Sequence, residues 1–196
     1  MIANRKERIG WYFYDWANSA YPLVISTAIF PLYYSAVTTT EAGDYITFMG
    51  MSFYNSSLYS YAIALSFLIV SCITPLLSGI ADFSGRKKRF LNIFCSVGSL
   101  SCMSLAFFSK DHLGWGLLSA MLASMGFSGS LVFYNAFLPE IAPVEEQDAV
   151  SARGFAMGYI GSSLLLIFDI LLITKPSLFH IDTTGMSEKD VFLMIA

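Results

Sequence analysis

Five apolar runs, each long enough to cross a lipid bilayer, constrain this chain more than any other feature. A spanning helix needs about 20 mostly apolar residues. Residues 12–37, 56–81, 90–109, 114–138 and 154–174 meet that length. Lipid offers the backbone no hydrogen-bond partners, so such runs satisfy their own amides by folding as helices. A sixth run, 190–196, is cut short. It covers only about 10 Å at 1.5 Å per residue, which predicts a truncated span inside a longer polypeptide. The expected fold is therefore all-α: a polytopic membrane helical bundle forming one domain over 1–196. Composition agrees, because 13% of the residues are charged against about 25% in soluble domains.

Several function classes drop out early. Outside the Arg86–Arg89 cluster no basic surface exists, so nucleic acid is not an expected partner. The lipid bilayer is. Asn4-Arg5-Lys6-Glu7-Arg8 precedes a run far longer than the core of a cleavable signal, so the first run reads as a retained span. Cys95 and Cys102 lie seven apart on one helix, about 10 Å along the axis, beyond the ~7 Å that a disulfide allows. With Cys72 they read as small packing residues. His112 and His180 fall in predicted loops, which leaves no expected metal site and no cofactor. No Ser-His-Asp set, HExxH motif or intramembrane histidine supplies a catalytic group, so an enzyme is not expected.

Orientation follows from lysine and arginine, which accumulate in cytoplasmic loops. With the N-terminus inside, the inner segments hold eight (Arg5, Lys6, Arg8, Arg86, Lys87, Lys88, Arg89, Arg153) and the outer segments three (Lys110, Lys175, Lys189). That places the N-terminus in the cytoplasm. The outer segment 38–55 is too apolar for a free loop and too short to span. It reads as an interfacial piece or as an early start of the second helix.

Polar residues inside the spans are the functional candidates. At about 100° per residue, Asp15, Asn18, Ser19, Pro22, Ser26 and Tyr33 share one line of the first helix, opposite Ala17, Ala20, Val24 and Ala28. A charge within a span costs roughly 2.5–3.5 kcal/mol on insertion scales, so such residues usually face a bundle interior or water. The competing reading puts Asp15 at headgroup depth with Trp11, Tyr12, Tyr14 and Trp16 as an aromatic belt. The stripe continues deeper, which favours a cavity for Asp15 and Asn18. Tyr134 and Asn135 end the fourth helix at the same depth as Asp15. A buried Asn135 amide would serve a helix–helix hydrogen bond or a solute. On the second helix, Ser57, Ser60, Ala64, Ser71, Thr74 and Ser78 read as a close-packing surface. On the fifth, Gly154 and Gly158 form a GxxxG contact surface. Asp169 lies eleven residues beyond Gly158, within about 20° of it around the helix. It either binds a proton inside the bundle or snorkels to the outer surface.

The stretch Ser78-Gly79-Ile80-Ala81-Asp82-Phe83-Ser84-Gly85-Arg86-Lys87-Lys88-Arg89 resembles the signature loop between helices two and three of the major facilitator superfamily. Ser78, Asp82, Gly85, Arg86 and Lys87 take its places, with the first glycine displaced to Gly79 and Phe83 where a basic residue is common. Residues 11–21 (WYFYDWANSAY), 134–142 (YNAFLPEIA) and Ser151-Ala152-Arg153-Gly154 with Gly158-Tyr159-Ile160-Gly161 are similar to the autophagy-related vacuolar amino-acid effluxer family and its bacterial relatives. The resemblance runs from about residue 9 to 175. It implies the N-terminal six-helix half of a major facilitator fold, a missing C-terminal half as partner, and secondary transport by alternating access. It also implies a bacterial inner membrane, or a vacuolar one in a eukaryote. In that family the loop's Asp, here Asp82, meets the start of a helix in the other half, and pairs here with Arg86; on this chain alone it caps its own turn.

Two functions follow as expectations. The first is a secondary transporter of a small polar solute, with amino acids as one class, using Asp15, Asn18, Tyr134, Asn135 and Asp169 for solute or proton and Gly79, Asp82, Gly85, Arg86 and Lys87 as the conformational motif. The second is a non-transporting membrane subunit, or a half-transporter that needs a partner chain.

Overall fold

The first span is not one uniform helix. The computed structural model describes residues 5–39 and 43–179, and within it three helical pieces run in series: α1 (Arg5–Asn18), a π-helical stretch (Tyr21–Ile29) and α2 (Phe30–Thr38). Pro22 causes the change of winding. It has no N–H to donate back along the helix, and the Thr27 hydroxyl donates to the Pro22 carbonyl at 2.6 Å, five residues back. A π-turn rephases every side chain beyond it. Val24, placed opposite Asp15 by uniform winding, is therefore buried, while Asp15 and Tyr33 are buried too.

Two β-strands follow, β1 (Tyr45–Phe48) and β2 (Met51–Tyr54), paired antiparallel as a hairpin. This corrects the expectation of an early start of the second helix. The reason is local: Met49 and Gly50 both have positive φ, 50° and 81°, the pattern of a two-residue hairpin turn. Asp44 holds the hairpin base, accepting from Thr39 Oγ1 at 2.9 Å and from the Tyr54 hydroxyl at 3.0 Å. The Tyr54 phenol is pushed up from its ordinary range by that hydrogen bond and by the Asp44 charge. Asn55 donates to Thr38 and Thr39, both at 3.2 Å, and opens the next helix.

That helix, α3 (Asn55–Ser84), is followed by α4 (Lys87–Ser104), α5 (Leu113–Asn135), α6 (Leu138–Ile141) and α7 (Val144–Thr174). Among the described residues, five helical segments are long and apolar enough to cross a membrane: Arg5–Thr38, Asn55–Ser84, Lys87–Phe107, Lys110–Ile141 and Val144–Thr174. They outrun the apolar stretches. The segment 139–153, expected as a loop, is largely helix. Pro143 sits at the N-cap of α7 and Glu145 and Glu146 occupy its first turn, where carboxylates favour the positive helix end. The truncated sixth run lies outside the described residues.

The chain divides into two compact units, residues 5–29 with 134–179 and residues 30–133. The second unit is held by aromatic and small-residue packing. Phe108 is fully buried, ringed by Phe30, Tyr33 and Tyr34 at centroid distances of 5.7, 5.8 and 5.7 Å. Gly98 and Gly126 bring the backbones of α4 and α5 together, since a Cβ on Gly126 would strike Gly98 itself. The buried line of α3 is Leu58, Ala62, Ser66 and Val70. Ser60, Ala64 and Ser71, expected to pack, are exposed. The four-residue spacing selects the neighbouring face. Cys72 is exposed as well, and all three cysteines are free.

The turn from α3 to α4 takes only Gly85 and Arg86. Gly85 adopts φ 63°, ψ 21°. Its N–H donates to Asp82 O at 3.3 Å, and the Arg86 N–H donates to Ala81 O at 3.1 Å. This is a Schellman stop, which requires a left-handed residue. The expected Asp82–Arg86 pair is replaced. Asp82 Oδ1 pairs instead with Lys87 Nζ at 3.1 Å. The exposed pair is worth about 0–1 kcal/mol. Gly85→Ala is expected to lower stability by about 1–2 kcal/mol through left-handed strain. Gly79→Ala, inside α3 with nothing within 4 Å of its added methyl, is expected to be neutral or mildly stabilising, by up to about 1 kcal/mol. Unfolding in detergent compares the two. Equal losses would remove the glycine turn as the cause.

Candidate functional site

The site is built where α1 lies along α7. Three glycines of α7 make the approach possible. A methyl on Gly154 would stand 2.5 Å from Trp11 Cζ3 and 3.2 Å from the Tyr134 hydroxyl. On Gly158 it would collide with Ser19 Oγ and stand 3.3 Å from the Asp15 carbonyl. On Gly161 it would stand 2.7 Å from the Trp16 indole. The seam extends the GxxxG surface by one further glycine. It is a backbone-to-side-chain contact of the kind that lets helices associate in lipid, where dispersion and hydrogen bonds replace the hydrophobic effect.

Trp11 anchors the seam. Its indole Nε1 donates to the Tyr134 carbonyl at 3.2 Å, and its ring stacks on Tyr134 at 4.3 Å and 12°. Tyr14 also stacks on Tyr134, at 4.8 Å and 23°. That carbonyl belongs to the last turn of α5, where the chain leaves the helix toward Pro139. Toward the start of α1, Arg8 fastens the same end. Its Nε donates to the Ile141 carbonyl at 2.9 Å and its Nη1 to Glu146 Oε2 at 2.6 Å.

Inside this frame sits Asp15, 4% exposed. Its polar neighbours are the Tyr134 and Ser19 hydroxyls. Neither Asp15 Oδ2 nor the Tyr134 hydroxyl completes a hydrogen bond of ordinary geometry, and both are buried. Among the described residues no basic side chain pairs with Asp15. An unpaired polar group in a buried site is costly, by roughly 1–3 kcal/mol, and more for a charge.

The other candidates are dispersed. Asn18 is half-buried at the end of α1. Asn135 is exposed, which corrects the buried-amide reading: as the last residue of α5 it follows Tyr134, which takes the inward position. Asp169 is 5% exposed, facing inward as the glycines do. It stands eleven residues past Gly158, about 16 Å along the axis, away from Asp15. Sequence reading missed the role of Trp11, treated there as part of an aromatic belt. A tryptophan four residues before the carboxylate of the first span, on its face, was the available signal. Gly79, Asp82, Gly85, Arg86 and Lys87 lie at the α3–α4 turn of the other unit.

Five apolar helices of spanning length make this chain an integral membrane protein of the polytopic helical class. The family described as vacuole effluxer Atg22 like matches residues 3–147. The chain is 38% identical over 194 residues to an uncharacterised MFS-type transporter, YxiO, of Bacillus subtilis, covering 97% of this chain and 44% of that protein. Autophagy-related protein 22 of Gibberella zeae is 24% identical over 181 residues, covering 82% of this chain and 27% of that protein. An uncharacterised Aquifex aeolicus protein is 28% identical over 140 residues, 71% of this chain and 34% of its own. No solved structure matches. The chain belongs to the vacuole effluxer Atg22-like family, of the major facilitator type. It spans less than half the length of these relatives.

Proposed function

We propose that this chain forms the N-terminal half of a secondary active transporter that moves a small polar solute by alternating access, with amino acids as the first class to test. The observation that carries the reading is Asp15: a buried carboxylate without a basic partner, on a helix seam inside a membrane bundle. Such residues are expensive in lipid and are retained where charge is moved. The family's name, "vacuole effluxer", supports transport out of a compartment. Asn18, Asn135 and Asp169 complete the set of polar groups available to a solute or proton. Gly79, Asp82, Gly85, Arg86 and Lys87 form the turn that sets the conformation against the second half. The excess of lysine and arginine at the N-terminus and at that turn puts both on the cytoplasmic side, of a bacterial inner membrane or a vacuolar one.

A second reading is a non-transporting membrane subunit, or a half that works only with a partner chain. Counterflow of labelled amino acids into liposomes tests both. The full-length protein is expected to exchange at least one amino acid. This chain alone is expected to exchange none until the second half is added. Asn18→Ala is expected to reduce exchange roughly tenfold, the loss of one hydrogen bond of about 1 kcal/mol or slightly more. No exchange of any amino acid by the full-length protein, with or without a proton gradient, would exclude that solute class.

A further inference from the structure

We propose that the tip of the β1–β2 hairpin, Phe48-Met49-Gly50-Met51, is a lipid-binding element that seats its two methionines among the headgroups of the leaflet at the α2–α3 end of the bundle. From Tyr45 to Tyr54 no residue carries a charge, yet Met49 is 84%, Tyr45 67% and Met51 58% exposed. A two-stranded ribbon by itself is marginal in water, and clustered exposed apolar groups mark a surface that a partner covers. The register pairs Ile46 with Phe53 and Phe48 with Met51 on one face, and Tyr45 with Tyr54 and Thr47 with Ser52 on the other. The first face is apolar, and the second is lined with hydroxyls.

The bilayer is the partner within reach. The hairpin base is tied to the ends of two spanning segments, because Asn55, the first residue of α3, donates to Thr38, the last of α2. The tip stands at a similar level. Phe48 Cε2 lies 3.6 Å from the place of a Cβ on Gly114, in the first turn of α5. Trp115 follows, half exposed, with its Nε1 donating to the Ser104 carbonyl at 3.3 Å. A tryptophan at the end of a span, with an exposed ring and a satisfied N–H, marks headgroup depth. The ribbon, about 13 Å long for four residues per strand, therefore lies along the membrane surface instead of rising into water. Its backbone limits how deep it goes. Both edges carry unpaired amides and carbonyls, which hydrocarbon cannot satisfy and the hydrated headgroup layer can. Methionine, unbranched and polarisable, adapts to an irregular surface of that kind. The tip has no charge, so it fits the glycerol and ester zone common to all phospholipids and not a particular headgroup.

Nitrobenzoxadiazole labels on the full-length protein in nanodiscs test this, with its native cysteines, Cys72, Cys95 and Cys102 among them, replaced by alanine. Labels are placed at Met49→Cys, at Met51→Cys and, as the water-facing reference, at Ser52→Cys. A lipid carrying a nitroxide just below its headgroup is expected to quench the labels at 49 and 51 several-fold more than the label at 52. Aqueous iodide is expected to show the reverse order. The same contrast is expected in zwitterionic and in anionic lipid. Met51→Asp, combined with the label at 49, is expected to bring that label to the pattern of position 52. Equal iodide quenching at all three positions overturns the proposal, since the tip then stands in water. Shielding of the tip from both quenchers, lost when each nanodisc holds one copy, also overturns it and assigns the tip to a second copy of the chain. Lipid quenching at 49 that survives Met51→Asp removes the methionines as the cause.

Discussion

Trp11→Ala is expected to destabilise the full-length protein by about 3 kcal/mol, the low end of what losing a buried tryptophan costs. The low end applies for a physical reason. An unfolded membrane helix stays in lipid, so the transfer of the ring out of water contributes little, and the loss is mainly dispersion and cavity. Three contacts disappear together. The stack on Tyr134 at 4.3 Å goes, the hydrogen bond to the Tyr134 carbonyl at 3.2 Å goes, and Gly154 is left facing a void. Trp11→Phe keeps most of the stack and loses the hydrogen bond, so about 1 kcal/mol is expected. Reversible unfolding in mixed micelles measures both. A loss below about 1 kcal/mol for the alanine variant would mean that the seam is held elsewhere, at Gly161 and Trp16.

The difference between Trp11 as belt and Trp11 as anchor shows what a sequence of this type encodes. Apolar length made five spans readable, because the bilayer sets a fixed requirement that the chain meets or misses. Gly154 and Gly158 were readable for a similar reason, since glycines spaced by four in a span have few uses other than contact. The depth match between Asp15 and the end of the fourth helix was readable by counting residues. What uniform counting missed was winding. Pro22 opens a π-turn, and every facing beyond residue 20 rotates, so Val24 turned from the predicted outer face to a buried one. Hairpin against helix was missed because Tyr45–Tyr54 lacks charge and alternation clean enough to separate a strand from an interfacial helix. The positive φ values of Met49 and Gly50 carry that decision. Asn135 and Tyr134 are neighbours one step apart, and the identity of the inward residue depends on the exact end of α5, the least certain quantity in any reading of a helix from its sequence.

Gly158→Leu is the second large effect expected. The added branches would have to pass through Ser19 and into the Asp15 backbone, 3.3 Å from the first carbon alone. A backbone contact cannot be relieved by a rotamer change, so α1 must move away from α7. Overpacking of this kind costs about 1–3 kcal/mol, and here it also breaks the seam that encloses Asp15. Gly158→Ala is different in kind. Its methyl meets chiefly the Ser19 hydroxyl, a short group that can rotate, and helix propensity returns up to about 1 kcal/mol. Near-neutral stability is expected for alanine and a large loss for leucine. Ser19→Ala then separates sterics from propensity. Combined with Gly158→Ala it removes the clash, so the double variant is expected to be more stable than the sum of the singles by about 0.5–1 kcal/mol, a coupling of the size seen between touching residues. Thermal unfolding of the four proteins closes the cycle. Additive effects, or a leucine variant as stable as the parent, would mean that α1 and α7 do not meet at this separation, and the enclosure of Asp15 would lose its structural basis.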